Sequence, residues 1–339
     1  MSTQHTRQFS RREFLGGLTV AGTAGLLGLH PRLVSAEPPP EMTTIRLIYS
    51  PGLCISPMYV AEELLQGEGF TNVEYIKTST ASTYKVLASG EGPLSVDFAA
   101  PFILQVDTRD PLVILAGVHA GCFELFGTDR VRAIRDLKGK SIAVTELGGP
   151  DYVFLASMMA YVGLDPGKDI HWATHTPAEA VQLLVEEKVD AFLAFAPFAQ
   201  ELRAQGIGHV IVNSAVDRPW SQYFCCMVAG NPAFVRQHPV ATKRALRAIL
   251  KAIDLCALDP ARVARFLVDK DYVPRYDSAL QVMQELPYNV WREYDPEDTV
   301  RFYALRLHEA GLIKSSPQKV IAQGTDWRFL NELKKELKG

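Results

Sequence analysis

Hydrophobic positions in this chain alternate with polar ones over short runs, then recur at three- and four-residue spacing, and the two patterns take turns. Positions 44–49 (TIRLIY) alternate and predict a strand. Loop 50–57 follows, then helical periodicity over 58–65, with Ser56 as N-cap and Pro57 at the first helical position. Glycines at 67 and 69 end that helix, and 73–76 predicts a second strand. A β-α-β start of this kind predicts a parallel sheet. Next come a hydroxyl-rich loop at 79–83, a helix through Tyr84, Val86 and Leu87, a strand at 95–100 with Pro101 opening a helix, and a strand at 113–119. Residues 122–126 continue extended.

The run from Asp136 to Tyr152 (DLKGKSIAVTELGGPDY) reads as one unit. Its apolar 141–144 suits a buried strand, Gly-Gly-Pro turns the chain, and Phe154, Leu155, Met158, Met159 and Val162 continue at helical spacing. Pro150 or Asp151 opens that helix, because proline lacks an N–H and aspartate accepts one. Free N–H groups at such a helix start suit anions and carbonyl oxygens. The same residues also suit an ordinary connection without a ligand, and no phosphate fingerprint is present. The pattern then repeats: strand 170–172, helix 177–188, strand 189–194, helix 197–205 and strand 209–212. Thr176 and Glu179 make a capping box for the first of these helices. Extended residues 221–228 lead into helices at 240–257, 260–268, 277–285, 295–310 and 326–337.

At 339 residues the chain is long for one core and predicts two domains. Net charge is −3, with no basic cluster beyond the N-terminal region, which points away from nucleic acid. The first 36 residues differ from the rest. Ser10-Arg11-Arg12-Glu13-Phe14-Leu15 matches a twin-arginine export signal, followed by a mildly apolar run and a small-residue cleavage site at Val34-Ser35-Ala36. The competing reading is a membrane-anchored helix. Removing residues 1–36 takes away four arginines and one glutamate and leaves net −6. The five cysteines (54, 122, 225, 226 and 256) show no CxxC or Cys/His spacing of a zinc site, so no metal or cofactor is expected.

DLKGKSIAV resembles the entry to the second lobe in periplasmic solute-binding proteins of ABC importers, nearest the nitrate/sulfonate/taurine and thiamine-precursor group. VDAFLAFAPFAQELRAQG and the NPAF…HP start of the C-terminal helices carry the resemblance further, over residues 43–320. It implies an α/β, type II, two-lobed periplasmic-binding fold with two crossover strands, a helical tail and a hinge that closes on ligand. The lobes would be 44–122 with 226–339, and 123–225, after an export signal at 1–36 and a linker at 37–43. The implied function is capture of a small organic solute by a periplasmic carrier that hands it on unchanged to an ABC permease in the inner membrane. The mature protein is expected to be a monomer. The alternatives are an enzyme of the thiamine-pyrimidine synthase type and a ligand-sensing subunit. The former's cysteine-rich segment is reduced here to Cys225-Cys226, and no catalytic spacing appears. The resemblance places Cys122 and Cys225 on adjacent crossovers, where a disulfide is one possibility.

Ligands of doubly wound sheets sit beyond the carboxyl ends of the strands. In the first lobe that rule selects Cys54, Ser56, Tyr59, Ser79, Thr80, Ala99, Ala100 and His119. In the second it selects Gly148, Gly149, Asp151, Tyr152, His175 and Phe195, with Tyr223 on the return crossover. Each has a plainer reading: Ser56 as a cap, Ser79 and Thr80 as turn formers, His119 as a satisfied core histidine, and Tyr59, Tyr152, Phe195 and Cys54 as packing. With no Arg or Lys among them, the expected ligand is neutral or weakly anionic, such as a planar heterocycle or aromatic acid.

Overall fold

The computed structural model describes residues 37–338 apart from Pro51 and Ser79, with backbone only at 80–82. The export signal at 1–36, the Ser79 expectation and the Thr80 side chain therefore lie outside the described residues. Among the described residues, 39–338 form one compact unit containing two five-stranded sheets.

The first sheet has the order β2-β1-β3-β10-β4, from β1 (Thr44–Tyr49), β2 (Asn72–Lys77), β3 (Leu94–Phe98), β4 (Val113–Ala120) and β10 (Phe224–Gly230). The second has the order β7-β6-β8-β5-β9, from β5 (Phe123–Gly127), β6 (Ser141–Val144), β7 (His171–Thr174), β8 (Ala191–Phe195) and β9 (His209–Asn213). The β1, β2 and β3 strands run parallel, as do β6, β7 and β8, while β10 and β5 are antiparallel to their neighbours. The chain leaves the first sheet between β4 and β5 and returns between β9 and β10. This is the two-sheet, two-crossover α/β arrangement that the resemblance implied, with the helical region after β10 in place.

Strands β4 and β10 are buried along their whole length, which explains why they read as unbroken apolar runs rather than alternating ones. Gly117 is required there. A Cβ on it would lie 2.3 Å from the Phe224 ring. The crossovers are also joined to each other. Ser214 Oγ donates to Phe123 O at 2.8 Å and accepts the N–H groups of Cys122 and Phe123 at 3.2 and 3.0 Å. Gly121, at φ +57°, sits so close that a Cβ would meet Ala215 Cα at 2.1 Å.

Helix α1 (Ser56–Gly67) corrects one expectation. Ser56 does not cap it; Ile55 occupies that position, and the Ser56 hydroxyl donates back to Leu53 O at 2.6 Å. Helix α2 (Thr80–Ser89) and helix α3 (Ala99–Thr108) follow, and α3 starts earlier than expected. Ala99 and Ala100 therefore belong to its first turn rather than to the end of β3. Pro101 stays within that turn, where the backbone needs no donor. In the second sheet, α4 (Pro150–Val162) starts at Pro150. The capping box of α5 (Pro177–Val185) is formed: Thr176 N–H reaches Glu179 Oε2 at 2.9 Å, and Glu179 N–H reaches Thr176 Oγ1 at 3.3 Å. Helix α6 (Phe198–Gln205) completes this half.

The C-terminal region packs helices α7 (Pro232–Gln237), α8 (Pro239–Leu258), α9 (Pro260–Asp269), α10 (Tyr276–Glu285), α11 (Pro296–Glu309), α12 (Pro317–Gly324) and α13 (Arg328–Glu336). A buried carboxylate ties α8 to the end of α1: Glu68 Oε2 lies 2.7 Å from Arg247 Nη1, and Oε1 lies 3.1 Å from Lys251 Nζ.

Candidate functional site

The parallel strands of both sheets end at a shared gap, because each βα turn must leave its sheet on the same side. A cavity of about 530 Å³ lies in that gap. Ser50, Asp97 and Phe98 line it at the ends of β1 and β3; Thr145 and Phe195 line it at the ends of β6 and β8, and Phe123 at the crossover. A neighbouring cavity of about 300 Å³ shares Gly52, Phe195 and Phe198 with it. Tyr49, Tyr59 and the loop 272–275 between α9 and α10 close this smaller space. Tyr59, Tyr49 and Tyr272 form a three-ring cluster, with Tyr59 5.1 Å from Tyr49 and 4.5 Å from Tyr272, and the Tyr59 hydroxyl donates to Ser50 O. The walls are thus aromatic, as small-molecule sites commonly are.

Asp97 is the polar group that matters most. It is buried, Oδ1 accepts the Phe98 N–H at 2.8 Å, and Oδ2 has no hydrogen-bond partner among the described residues. Burial pushes its carboxyl up to about 7, against the opposing Phe98 N–H, with nearby Cys54 adding to the rise. Asp151 differs. Its oxygens accept Thr145 N–H at 2.6 Å, Thr145 Oγ1–H at 2.9 Å and Tyr152 N–H at 3.0 Å. Burial raises its pKa while those three bonds oppose the rise. Asp151 shapes the loop after β6, and Asp97 lines the cavity with one carboxyl oxygen buried and without a hydrogen-bond partner among the described residues.

Of the residues expected to face a ligand, Cys54, Asp151 and Phe195 line the larger cavity, and Tyr59 and Phe195 the smaller. Ser56, Ala99 and Ala100 are buried against the first sheet and line neither. Gly149 is the N-cap of α4 and donates to Glu146 O at 3.1 Å; neighbouring Gly148 supplies the turn with φ +83°. Tyr152 packs edge-on against Trp172, Tyr223 stacks on Phe302 at 4.0 Å, and His175 is half-exposed beside Glu179. None of these five lines either cavity. Phe98, Phe123, Thr145, Phe198 and the 272–275 loop do, although the strand-end rule passed over them.

His119 is fully buried, and its Nδ1 lies 3.1 and 3.0 Å from the carbonyl oxygens of Ala120 and Gly121. A ring nitrogen of His119 and the sulfurs of Cys54, Cys122 and Cys226 all lie within 4.8 Å of one another. His119 and Cys122 stand three residues apart in His-Ala-Gly-Cys, a local spacing that the sequence reading passed over, whereas Cys54 and Cys226 come from distant parts of the chain. Cys122 and Cys225 have sulfurs 2.7 Å apart, with all five thiols free.

Among solved structures, the chain is similar to the periplasmic nitrate-binding protein NrtA from Synechocystis PCC 6803, with 18% identity, TM-score 0.71, and coverage of 89% of this chain and 90% of that one. It is also similar to the alkanesulfonate-binding protein SsuA from Xanthomonas axonopodis pv. citri bound to MOPS, with 17% identity, TM-score 0.66, and coverage of 85% and 99%. These likenesses establish the fold. By sequence it is 24% identical over 250 residues to the nitrate/nitrite binding protein NrtA of Synechocystis sp., covering 66% of this chain and 56% of that protein. The chain thus spans little more than half the length of that relative. Residues 39–267 match the NMT1-like family, two sheets and both crossovers included, and the chain belongs to that family.

Proposed function

We propose that this chain is a solute-binding protein that takes a small planar organic molecule into the gap between its two sheets and delivers it to an ABC importer. The observation that carries this reading is the aromatic cavity of about 530 Å³ between sheets joined by only two crossovers. That arrangement suits hinge closure on a solute. The relatives are named as binding proteins rather than enzymes, which supports a carrier. Their periplasmic titles support a periplasmic location, with residues 1–36 as the twin-arginine export signal. We assign the lobes to 44–122 with 226–339, and to 123–225, acting as a monomer.

The ligand class follows from charge. Asp97, Glu146 and Asp151 line the larger cavity, and among the described residues neither Arg nor Lys does, Arg275 lining the adjoining smaller one. Nitrate or a sulfonate would meet carboxyl groups there without a compensating cation, which opposes binding. A ring nitrogen bearing a hydrogen, neutral or protonated, instead suits the Asp97 carboxyl group, with the ring lying against the Phe98, Phe123 and Phe195 side chains that line the cavity. A thermal-shift screen tests this, because a ligand selective for the folded state raises the melting temperature. Planar nitrogen heterocycles should raise it, while nitrate, sulfate and alkanesulfonates should not. The opposite ranking would refute the ligand class.

A further inference from the structure

We propose that Cys54, His119, Cys122 and Cys226 form a four-ligand site for zinc(II), reaching the cavity wall at Cys54 and spanning both crossovers. The proposal is independent of the solute reading. Three thiols and one imidazole match the donor set of structural zinc, which is tetrahedral and takes sulfur and nitrogen. In such a site, with bonds of about 2.1–2.3 Å, ligand atoms stand roughly 3.5–3.8 Å apart. The four donors here already lie within 4.8 Å of one another, so a contraction of about 1 Å closes the shell.

Three further features favour a metal over ordinary core packing. First, the histidine tautomer is set. Both neighbours of Nδ1 are carbonyl oxygens, which only accept, so Nδ1 carries the hydrogen and Nε2 presents its lone pair. Nε2 is buried and has no hydrogen-bond partner among the described residues. A backbone carbonyl on the far nitrogen is also how metal-bound histidines are commonly oriented. Second, the ligands come from rigid places. His119 and Cys226 face each other in the register of β4 and β10. Third, Tyr288 braces two of them: its ring packs edge-on to His119 at 5.1 Å, and its hydroxyl donates to Cys54 O at 2.9 Å. All four ligands are buried, so the site excludes water as a structural rather than catalytic centre.

Loading involves no electron transfer. Zinc(II) enters, up to three thiols give up their protons, and neutral imidazole adds its lone pair. The bound ion would join the cavity loop through Cys54 to the first crossover through Cys122 and to the returning strand through Cys226.

The test is full-chain protein produced in cobalt- or zinc-supplemented medium and purified under reducing conditions. One ion per chain is expected. The cobalt form should show thiolate-to-metal charge transfer and the intense visible bands of tetrahedral coordination. Cys226→Ser and His119→Ala should each lower metal content at least tenfold. Cys225→Ser removes a thiol 2.7 Å from Cys122 that is not itself one of the four ligands, and should retain the ion. Should the ligand variants fail to fold, wild-type protein still decides: a chelator should lower its melting temperature and zinc restore it. Substoichiometric metal, unchanged content in folded ligand variants, loss of the ion in folded Cys225→Ser, indifference to chelator, or a Cys122–Cys225 disulfide that persists under reductant would each overturn the site.

Discussion

Asp97 accepts the Phe98 N–H on one oxygen at 2.8 Å, while the other is buried with no hydrogen-bond partner among the described residues. Because burial moves this carboxyl from an ordinary 3.8 to about 7, the folded chain holds the proton more tightly than the unfolded chain does. Its contribution to stability is therefore complete below about pH 4 and is lost as pH rises through 7. Asp97→Asn should raise stability at pH 8 by on the order of 2–4 kcal/mol and leave it nearly unchanged at pH 4. Denaturant titrations at the two pH values check this. The same variant should weaken binding of a protonated nitrogen ligand, whose affinity for the wild-type protein should increase as pH rises through 7. A pH-independent affinity in the wild type would contradict the contact.

Phe195 stands at the end of β8 and walls both cavities. Phe195→Ala removes apolar surface that the solute would cover. Loss of about 1.5–3 kcal/mol, or roughly 10- to 100-fold in Kd, is expected by calorimetry, with a small change in melting temperature.

Gly117 faces the Phe224 ring across two fully buried strands. Gly117→Ala should destabilise by about 1–3 kcal/mol through overpacking. Phe224→Leu in the same chain should recover part of the loss, and a double-mutant cycle measures how much.

Glu68 neutralises Arg247 and Lys251 where α8 crosses α1. Glu68→Ala removes the carboxylate 2.7 Å from the nearly buried Arg247 guanidinium, which also meets Glu336 at 3.0 Å. A loss of about 2–3 kcal/mol follows, somewhat below that for a fully buried pair because Lys251 is exposed. Equilibrium unfolding in urea tests it.

The order of strands and helices was legible because period two and period 3.6 separate cleanly in this chain, and the capping box at Thr176 announced its helix by residue type alone. Side-chain direction was not. Asp97 occupies a polar position inside SVDFAA, and alternation cannot tell which face of β3 meets a cavity until the partner strands are placed. The 272–275 loop was equally hidden, since it reaches Tyr59 only through the packing of α9 and α10. Ser56 was misplaced because a serine before Pro57 resembles a cap, whereas its hydroxyl prefers the carbonyl of Leu53 in the preceding turn. His119 and Cys226 meet through β-sheet register, which no local spacing encodes.

Ser214 binds the two passages between the sheets along their length, and Gly121 lets them touch. Two separate tethers would leave one half free to swivel about the other. A bonded ribbon resists swivelling and yields mainly to flexing across its flat face. Any opening of the gap should therefore follow one arc, bringing Phe195 and Asp97 back to the same separation on every return.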